Sequence, residues 1–202
     1  DPAHHSGHLT ACYLRGTMTL HKERLTVNIF TLHTNPRMAA RMQCDKHVVK
    51  MPLESAQMLA SALRRYGATD IDMPFTKAGK PYGNSHPNHP CTVWAGDTRA
   101  NFTWLCEHGL ALCEEYTNRY DKVHACSHAI RHLARFDNYI PEGRRTSFAQ
   151  AMPDEYKSPR APVSAYRKYY ISDKADIAVW NKGRLAPHWW PKQGATDGTA
   201  HV

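Results

Sequence analysis

Four polar side chains recur at intervals of three or four residues within one apolar segment: Lys46, Lys50, Glu54 and Gln57. On an α-helix this spacing places all four on one face. A lysine held beside a carboxylate in a poorly hydrated cleft can act as an amine nucleophile, and the carboxylate can then transfer protons. Such a pair suits attack on a sugar C1′ carbon with departure of the base. The pattern therefore predicts Lys46, Lys50 and Glu54, with the neighbouring His47, as catalytic residues.

The same stripe has a second interpretation, as an exposed face. Lys50 and Glu54 are an ordinary i,i+4 ion pair of the kind that solvent-exposed helices carry. The remaining surface of the segment is apolar, however, which favours a central helix whose polar face lines a cleft. The sequence leaves both interpretations open.

A second polar group lies between residues 85 and 94, where prolines at positions 87 and 90 restrict the backbone. Asn88 and His89 would thus be presented in fixed directions. With Trp94 and Arg99 close by, the segment predicts base stacking and phosphate contacts on DNA. The alternative is a structured turn that leads into a helix.

The final third of the chain interleaves aromatic and basic residues, which suits a nucleic-acid groove because rings stack on bases and cations pair with phosphates. Helical spacing of Tyr166, Tyr169 and Tyr170 equally describes a core seam. We predict that most of the tyrosines are core residues and that Arg167 and Lys168 contact DNA.

Composition supports an anionic partner. Lysine and arginine outnumber aspartate and glutamate by 26 to 18, a net charge of +8, which favours DNA. No run of 18 apolar residues occurs, so the sequence predicts no membrane partner. The six cysteines form no CxxC pair, which predicts a reducing compartment. The His and Cys spacings match no strong zinc pattern, so we predict neither a metal nor a cofactor.

The elements that must position these residues are helices, and the sequence predicts a mainly α fold. It divides into a flexible extension (1–26), one compact helical domain with long Pro/Gly-rich loops (27–191), and a polar tail (192–202). The domain would open on a short apolar segment at 27–32, and 67–92 would be mostly loop. The predicted helices span residues 35–66 with an interruption and a kink at Pro52, then 97–119, 123–135 and 162–181.

Three segments carry a resemblance to known proteins. They are NIFTLHTNPRMAARMQCDKHVVKMPLESAQML, NHPCTVWAGDTRANFTWLCEHGLALCEEYTNRY and FAQAMPDEYK with AYRKYYISDKADIAVW. Together they resemble a group of small phage-encoded proteins over residues 27–191. That group is similar, more distantly, to the pyrimidine-dimer DNA glycosylases of the endonuclease V type.

The resemblance implies an all-α DNA repair enzyme that flips a nucleotide, attacks C1′ with an amine and nicks the strand through a Schiff base. Those glycosylases use the α-amine of an N-terminal threonine, whereas 26 residues precede the core here. Lys46 or Lys50 would then have to substitute, with Glu54 in the role of the catalytic glutamate.

Three functions follow as hypotheses. The first is a phage DNA N-glycosylase and abasic-site lyase acting on a damaged or modified base, in the cytoplasm of the infected cell. The second is a transferase in phage thymine hypermodification. The third is a non-catalytic DNA-binding or virion accessory protein, whose polar helix face is only an interaction surface.

Overall fold

The computed structural model describes residues 27–192 and is mainly α. Its α-helices are α1 (Pro36–Met42), α2 (Asp45–Arg65), α3 (Pro90–Asp97), α4 (Arg99–Tyr120), α5 (Cys126–Ala134) and α6 (Pro162–Asp173). Short 3₁₀ turns lie at Asp70–Asp72, Asp137–Tyr139 and Asp154–Tyr156. Within residues 27–192 no β-strand forms, and the one isolated bridge joins Phe75 and Pro81. The mainly α class that the sequence predicts is confirmed.

The long helix predicted over residues 35–66 is two helices. Asn35 caps α1, its side chain accepting hydrogen bonds from the N–H groups of Arg37 and Met38, with Pro36 at the first position. The chain turns extended at Gln43 and Cys44, and α2 begins at Asp45. The break therefore falls at residues 43–44, and α2 continues through Pro52.

Other helix boundaries also differ from the prediction. Helix α3 begins inside the stretch 67–92, expected to be mostly loop, and it extends to Asp97; His89 caps it and Pro90 takes its first position. Helix α6 ends at Asp173, eight residues earlier than expected, and the chain leads from there into a tryptophan-rich segment. The apolar segment 27–32 forms neither helix nor strand and is entirely buried.

Helix α2 lies at the centre of the fold and packs against α3, α4 and α5, while α4 also packs against α1. The side chains form two apolar clusters. The larger gathers residues of α2, α3, α4 and α5, and the smaller joins α1, the start of α2 and α6. Tyr166, Tyr169 and Tyr170 lie in the smaller cluster, so the expected core role of these tyrosines is confirmed.

A buried ion network fixes the C-terminal segment to the helices. The Arg119 guanidinium, with 1% of its side chain exposed, lies 3.1 Å from Asp45 and 3.0 Å from Glu115. Arg184 reaches the same Glu115 carboxylate at 2.6 Å, and the Asn181 N–H donates to Asp45 Oδ2. Because these charged groups are buried, removing one of them would leave its partner with an uncompensated charge in the core, which costs free energy of folding.

The described part of the chain contains no helix long and apolar enough to cross a membrane. Its cysteines are buried free thiols: Cys44, Cys91, Cys106, Cys113 and Cys126. The predicted extension (1–26) lies outside the described residues, as does the predicted tail except for Lys192.

The network predicts a large stability loss on replacing its central cation. Arg119→Met leaves the buried Asp45 without its cation and Glu115 with Arg184 alone. The free energy of unfolding, measured by urea denaturation, should fall by about 3–5 kcal/mol.

The control is Arg37→Met, since Arg37 on α1 pairs with Glu114 on α4 and both side chains are exposed. The free energy of unfolding should fall by less than about 1 kcal/mol in this variant. Equal losses for the two variants would contradict the assignment.

Candidate active site

The centre of the candidate site is the carboxylate of Glu54, which is 5% exposed in the middle of α2. One oxygen, Oε2, accepts the backbone N–H of Asn28 at 3.0 Å. The other, Oε1, lies 3.1 Å from the Lys50 ammonium. Burial raises the pKa of Glu54, and the Asn28 N–H and Lys50 oppose that shift. A carboxyl group of this kind can exchange protons with a nitrogen beside it.

The segment that supplies the Asn28 nitrogen is held by several hydrogen bonds. The Asn28 side-chain oxygen accepts from the N–H groups of Ile29 and Phe30, and its amide donates to Ala151 O at 2.7 Å. The Gln43 amide donates to Ile29 O at 2.9 Å. Phe30 has φ +53°, a left-handed conformation that a bulky residue adopts only when its surroundings hold it.

His47 contacts this segment rather than lining an open cleft. Its ring stacks on Phe30 with centroids 4.5 Å apart, and its Nδ1 lies 2.8 Å from the Tyr170 hydroxyl. Burial, with Lys174 and Lys50 nearby, lowers the pKa of His47 to about 3. The imidazole is therefore neutral at physiological pH. The catalytic role predicted for His47 stays a prediction.

The Asn-His-Pro segment lies beside the same carboxylate. His86 is close enough to Glu54 to stabilise its charge, and His86 also has a left-handed backbone, φ +52°. Asn88 is exposed, while His89 is partly buried and accepts the Cys91 N–H as the cap of α3. Folding thus brings residues 85–91 to Glu54, although they lie more than 30 residues from it in sequence.

The four side chains of the predicted polar stripe on α2 differ in their exposure to solvent. Lys46 is exposed, and Lys50 has 64% of its side chain in solvent, whereas Glu54 is buried and Gln57 is partly buried. The stripe therefore runs from the surface into the core. Both sequence interpretations hold in part: an exposed basic half and a buried acidic end.

Two of the expected DNA-contact residues, Trp94 and Arg99, make contacts within the protein. Trp94 is 4% exposed and packs against Trp104 and Phe148, so its ring offers no free face for a base. Arg99 pairs with Glu142 and lines a separate open groove of about 550 Å³. We therefore do not assign Trp94 and Arg99 to the DNA-binding surface.

Arg167 and Lys168 differ from each other despite being adjacent. The Arg167 Nε–H donates to Leu32 O at 2.9 Å, and the guanidinium lies 5.5 Å from the Trp189 ring. Lys168 is exposed. Only Lys168 of this pair keeps a free cationic end for phosphate.

Sequence reasoning missed the Asn28 nitrogen, since a backbone N–H has no signature in residue type or spacing. Among residues 27–192 no group of three or more His, Cys, Asp or Glu side chains is arranged to hold a metal ion.

Two buried imidazoles predict a pH dependence of stability. Burial lowers the pKa of His47 to about 3 and that of His108 to about 4, against 6.5 for the free side chain. Below pH 6.5 the unfolded chain therefore takes up protons that the folded chain does not. The free energy of unfolding should fall as pH drops from 7 towards 4, by up to about 1.4 kcal/mol per pH unit for each group.

Urea denaturation across this pH range measures the slope. His108→Gln should flatten it, while replacement of the exposed His128 by Gln should not. A slope that His108→Gln leaves unchanged would exclude His108 as a source.

Residues 27–128 match the family model described as pyrimidine dimer DNA glycosylase. The match includes Asn28, Lys50, Glu54 and the segment 85–91. No curated protein and no solved structure matches the chain.

Proposed function

Since the chain belongs to the pyrimidine dimer DNA glycosylase family, we propose that it is a DNA N-glycosylase and abasic-site lyase in which Glu54 takes up the proton of an amine nucleophile. The observation that carries the proposal is the contact between the Glu54 carboxylate and the Asn28 nitrogen, at 3.0 Å. It lies within the matched residues and places a backbone nitrogen, an amide in the full chain, directly at the carboxylate.

Two nitrogens lie at the Glu54 carboxylate, and the structure favours one of them as nucleophile. The Lys50 ammonium is largely in solvent, where water stabilises its charge and disfavours the neutral amine. The Asn28 nitrogen lies on the buried side of the carboxylate. We therefore propose the Asn28 α-amine, which exists only in a form of the protein that begins at Asn28.

Loss of residues 1–27 would change the site in two ways. The Asn28 nitrogen, an amide when Val27 precedes it, would become a basic amine at the same carboxylate. Val27 is itself buried, at 3% exposure, so its loss would also open space beside the nitrogen. The amine would then attack C1′ of a flipped nucleotide, and the C1′–N glycosidic bond would break as the base departs with the bonding electron pair. Glu54 would take up the proton that the amine releases and could pass it to the departing base.

The proposed DNA-binding surface consists of Lys46, Lys50, Lys168, Asn88 and His89. The three lysines are exposed, and Asn88 and His89 belong to the segment beside Glu54. The cations would pair with phosphates, and the rigid 85–91 segment would contact the displaced nucleotide. The phage origin stays a prediction.

Borohydride trapping tests the nucleophile. With abasic-site DNA, a chain beginning at Asn28 should form a stable reduced cross-link, because borohydride reduces the Schiff base. A chain beginning at Val27 should not, since its amine is one residue away, about 3.8 Å along the chain. Cross-linking of the full chain that Lys50→Met abolishes would instead assign the reaction to Lys50.

The carboxylate is tested in the form that traps DNA. Glu54→Gln keeps the shape and removes the charge, so the trapping rate should fall by about 100-fold or more. Glu114→Gln is the matched control, because Glu114 is exposed. This variant should trap DNA at the unchanged rate. Thermal melting of both variants must show that the fold is retained, and an unchanged rate in Glu54→Gln would exclude this role.

DNA affinity should depend steeply on salt, because bound lysines release counterions from the phosphates. If the three lysines of the proposed DNA-binding surface contact phosphate, affinity should fall by roughly 40-fold between 50 and 200 mM salt. Lys50→Gln should reduce the slope of log affinity against log salt by about one, and Lys122→Gln should leave it unchanged. A flat salt response would remove DNA as the main partner, and binding without trapping or strand cleavage would favour a non-catalytic DNA-binding protein.

A further inference from the structure

The left-handed conformation of Phe30 needs a physical cause. Phe30 follows the Asn28–Ile29 pair directly, so its backbone dihedrals decide how the chain end approaches α2. Its ring is 5% exposed and has its most parallel contact with His47, at an interplanar angle of 12°. The Tyr170 ring meets Phe30 edge-on at 5.5 Å. The left-handed backbone is thus held by an aromatic enclosure to which α2 and α6 each contribute.

His47 is in turn fixed by Tyr170. The Tyr170 oxygen accepts the Cys44 N–H at 2.9 Å, and the His47 Nδ1 lies 2.8 Å from that oxygen. With its oxygen serving as acceptor for Cys44, the phenol has its own proton to donate to Nδ1, which leaves the imidazole proton on Nε2. Tyr170 is completely buried, so no water competes for these bonds.

We propose that His47 is a positioning residue that, held by Tyr170 and stacked on Phe30, fixes the Asn28 nitrogen on the Glu54 carboxylate. The inference rests on the proposed function, and it assigns to this pair the alignment of the nucleophile. The series of contacts runs from Tyr170 to His47, from His47 to Phe30, and through two peptide units to Asn28. The low pKa of His47 agrees with this role, because a neutral ring both accepts from Tyr170 and stacks well.

Amide hydrogen exchange tests the positioning in the full chain, without any requirement for activity. The Asn28 N–H is protected by its bond to Glu54, so losing the alignment should expose it. His47→Ala and Tyr170→Phe should each speed Asn28 exchange by about tenfold more than they speed exchange at Leu59 and Leu112, which report global opening. His47→Phe keeps a stacking ring and should have a smaller effect than His47→Ala.

The matched control is Tyr82→Phe. Tyr82 is also buried, but its hydroxyl lies near Cys126, away from the site. In that variant the exchange rate of the Asn28 amide should change by the same factor as the rates of the Leu59 and Leu112 amides. If Asn28 exchange also stays in proportion to those amides in His47→Ala and Tyr170→Phe, the two residues are merely structural and the proposal is wrong.

Trapping by the form beginning at Asn28 gives the second readout. The first-order trapping rate at saturating DNA should fall by about tenfold or more in Tyr170→Phe, while the Kd for DNA stays unchanged, because alignment affects the reaction step and not DNA contact. An unchanged rate together with weaker binding would overturn the positioning role. If the unsubstituted form is not trapped at all, the proposed nucleophile fails, and the exchange experiment still decides whether His47 positions Asn28.

Discussion

A carboxylate in the middle of a central helix is the constraint on which the rest of the structure depends. Leaving an ionised carboxylate in a packed core without partners would cost several kcal/mol, so Glu54 requires hydrogen-bond donors. Lys50 can approach from the solvent side, one turn earlier on α2. The buried side needs a donor from elsewhere, and the backbone N–H of Asn28 supplies it.

That requirement explains why residues 27–32 are core rather than an edge strand. Val27 and Ile29 pack into the larger apolar cluster, while Phe30 and Leu32 pack into the smaller one. A segment buried on both sides between helices finds no strand to pair with. Its polar backbone groups are satisfied instead by Asn28, Gln43 and Glu54.

Residues of the C-terminal third pack against Tyr170 and the buried ion network. Trp180, Trp189 and Trp190 all lie within 6.4 Å of the Tyr170 ring, and Arg184 joins the buried ion network through Glu115. Residues after the matched family segment thus enclose the tyrosine that contacts His47. Membership of the glycosylase family rests on residues 27–128, but the environment of the site extends to residue 190.

The sequence by itself determined the helical class, the cap at Asn35, the core role of the tyrosines and the acidic group at Glu54. These follow from periodicity, local capping chemistry and side-chain type, which act over a few residues. It also indicated the segment 85–91 as a rigid polar group, although α3 was missed. Only the tertiary structure decided that Lys50 stays in solvent, that Trp94 is core, and that His47 faces Tyr170, because depth depends on which helices pack together. The role of the Asn28 nitrogen was also decided by the tertiary structure. Every residue except proline has a backbone N–H, so the sequence does not distinguish this one, and only long-range packing places it beside the buried Glu54 carboxylate.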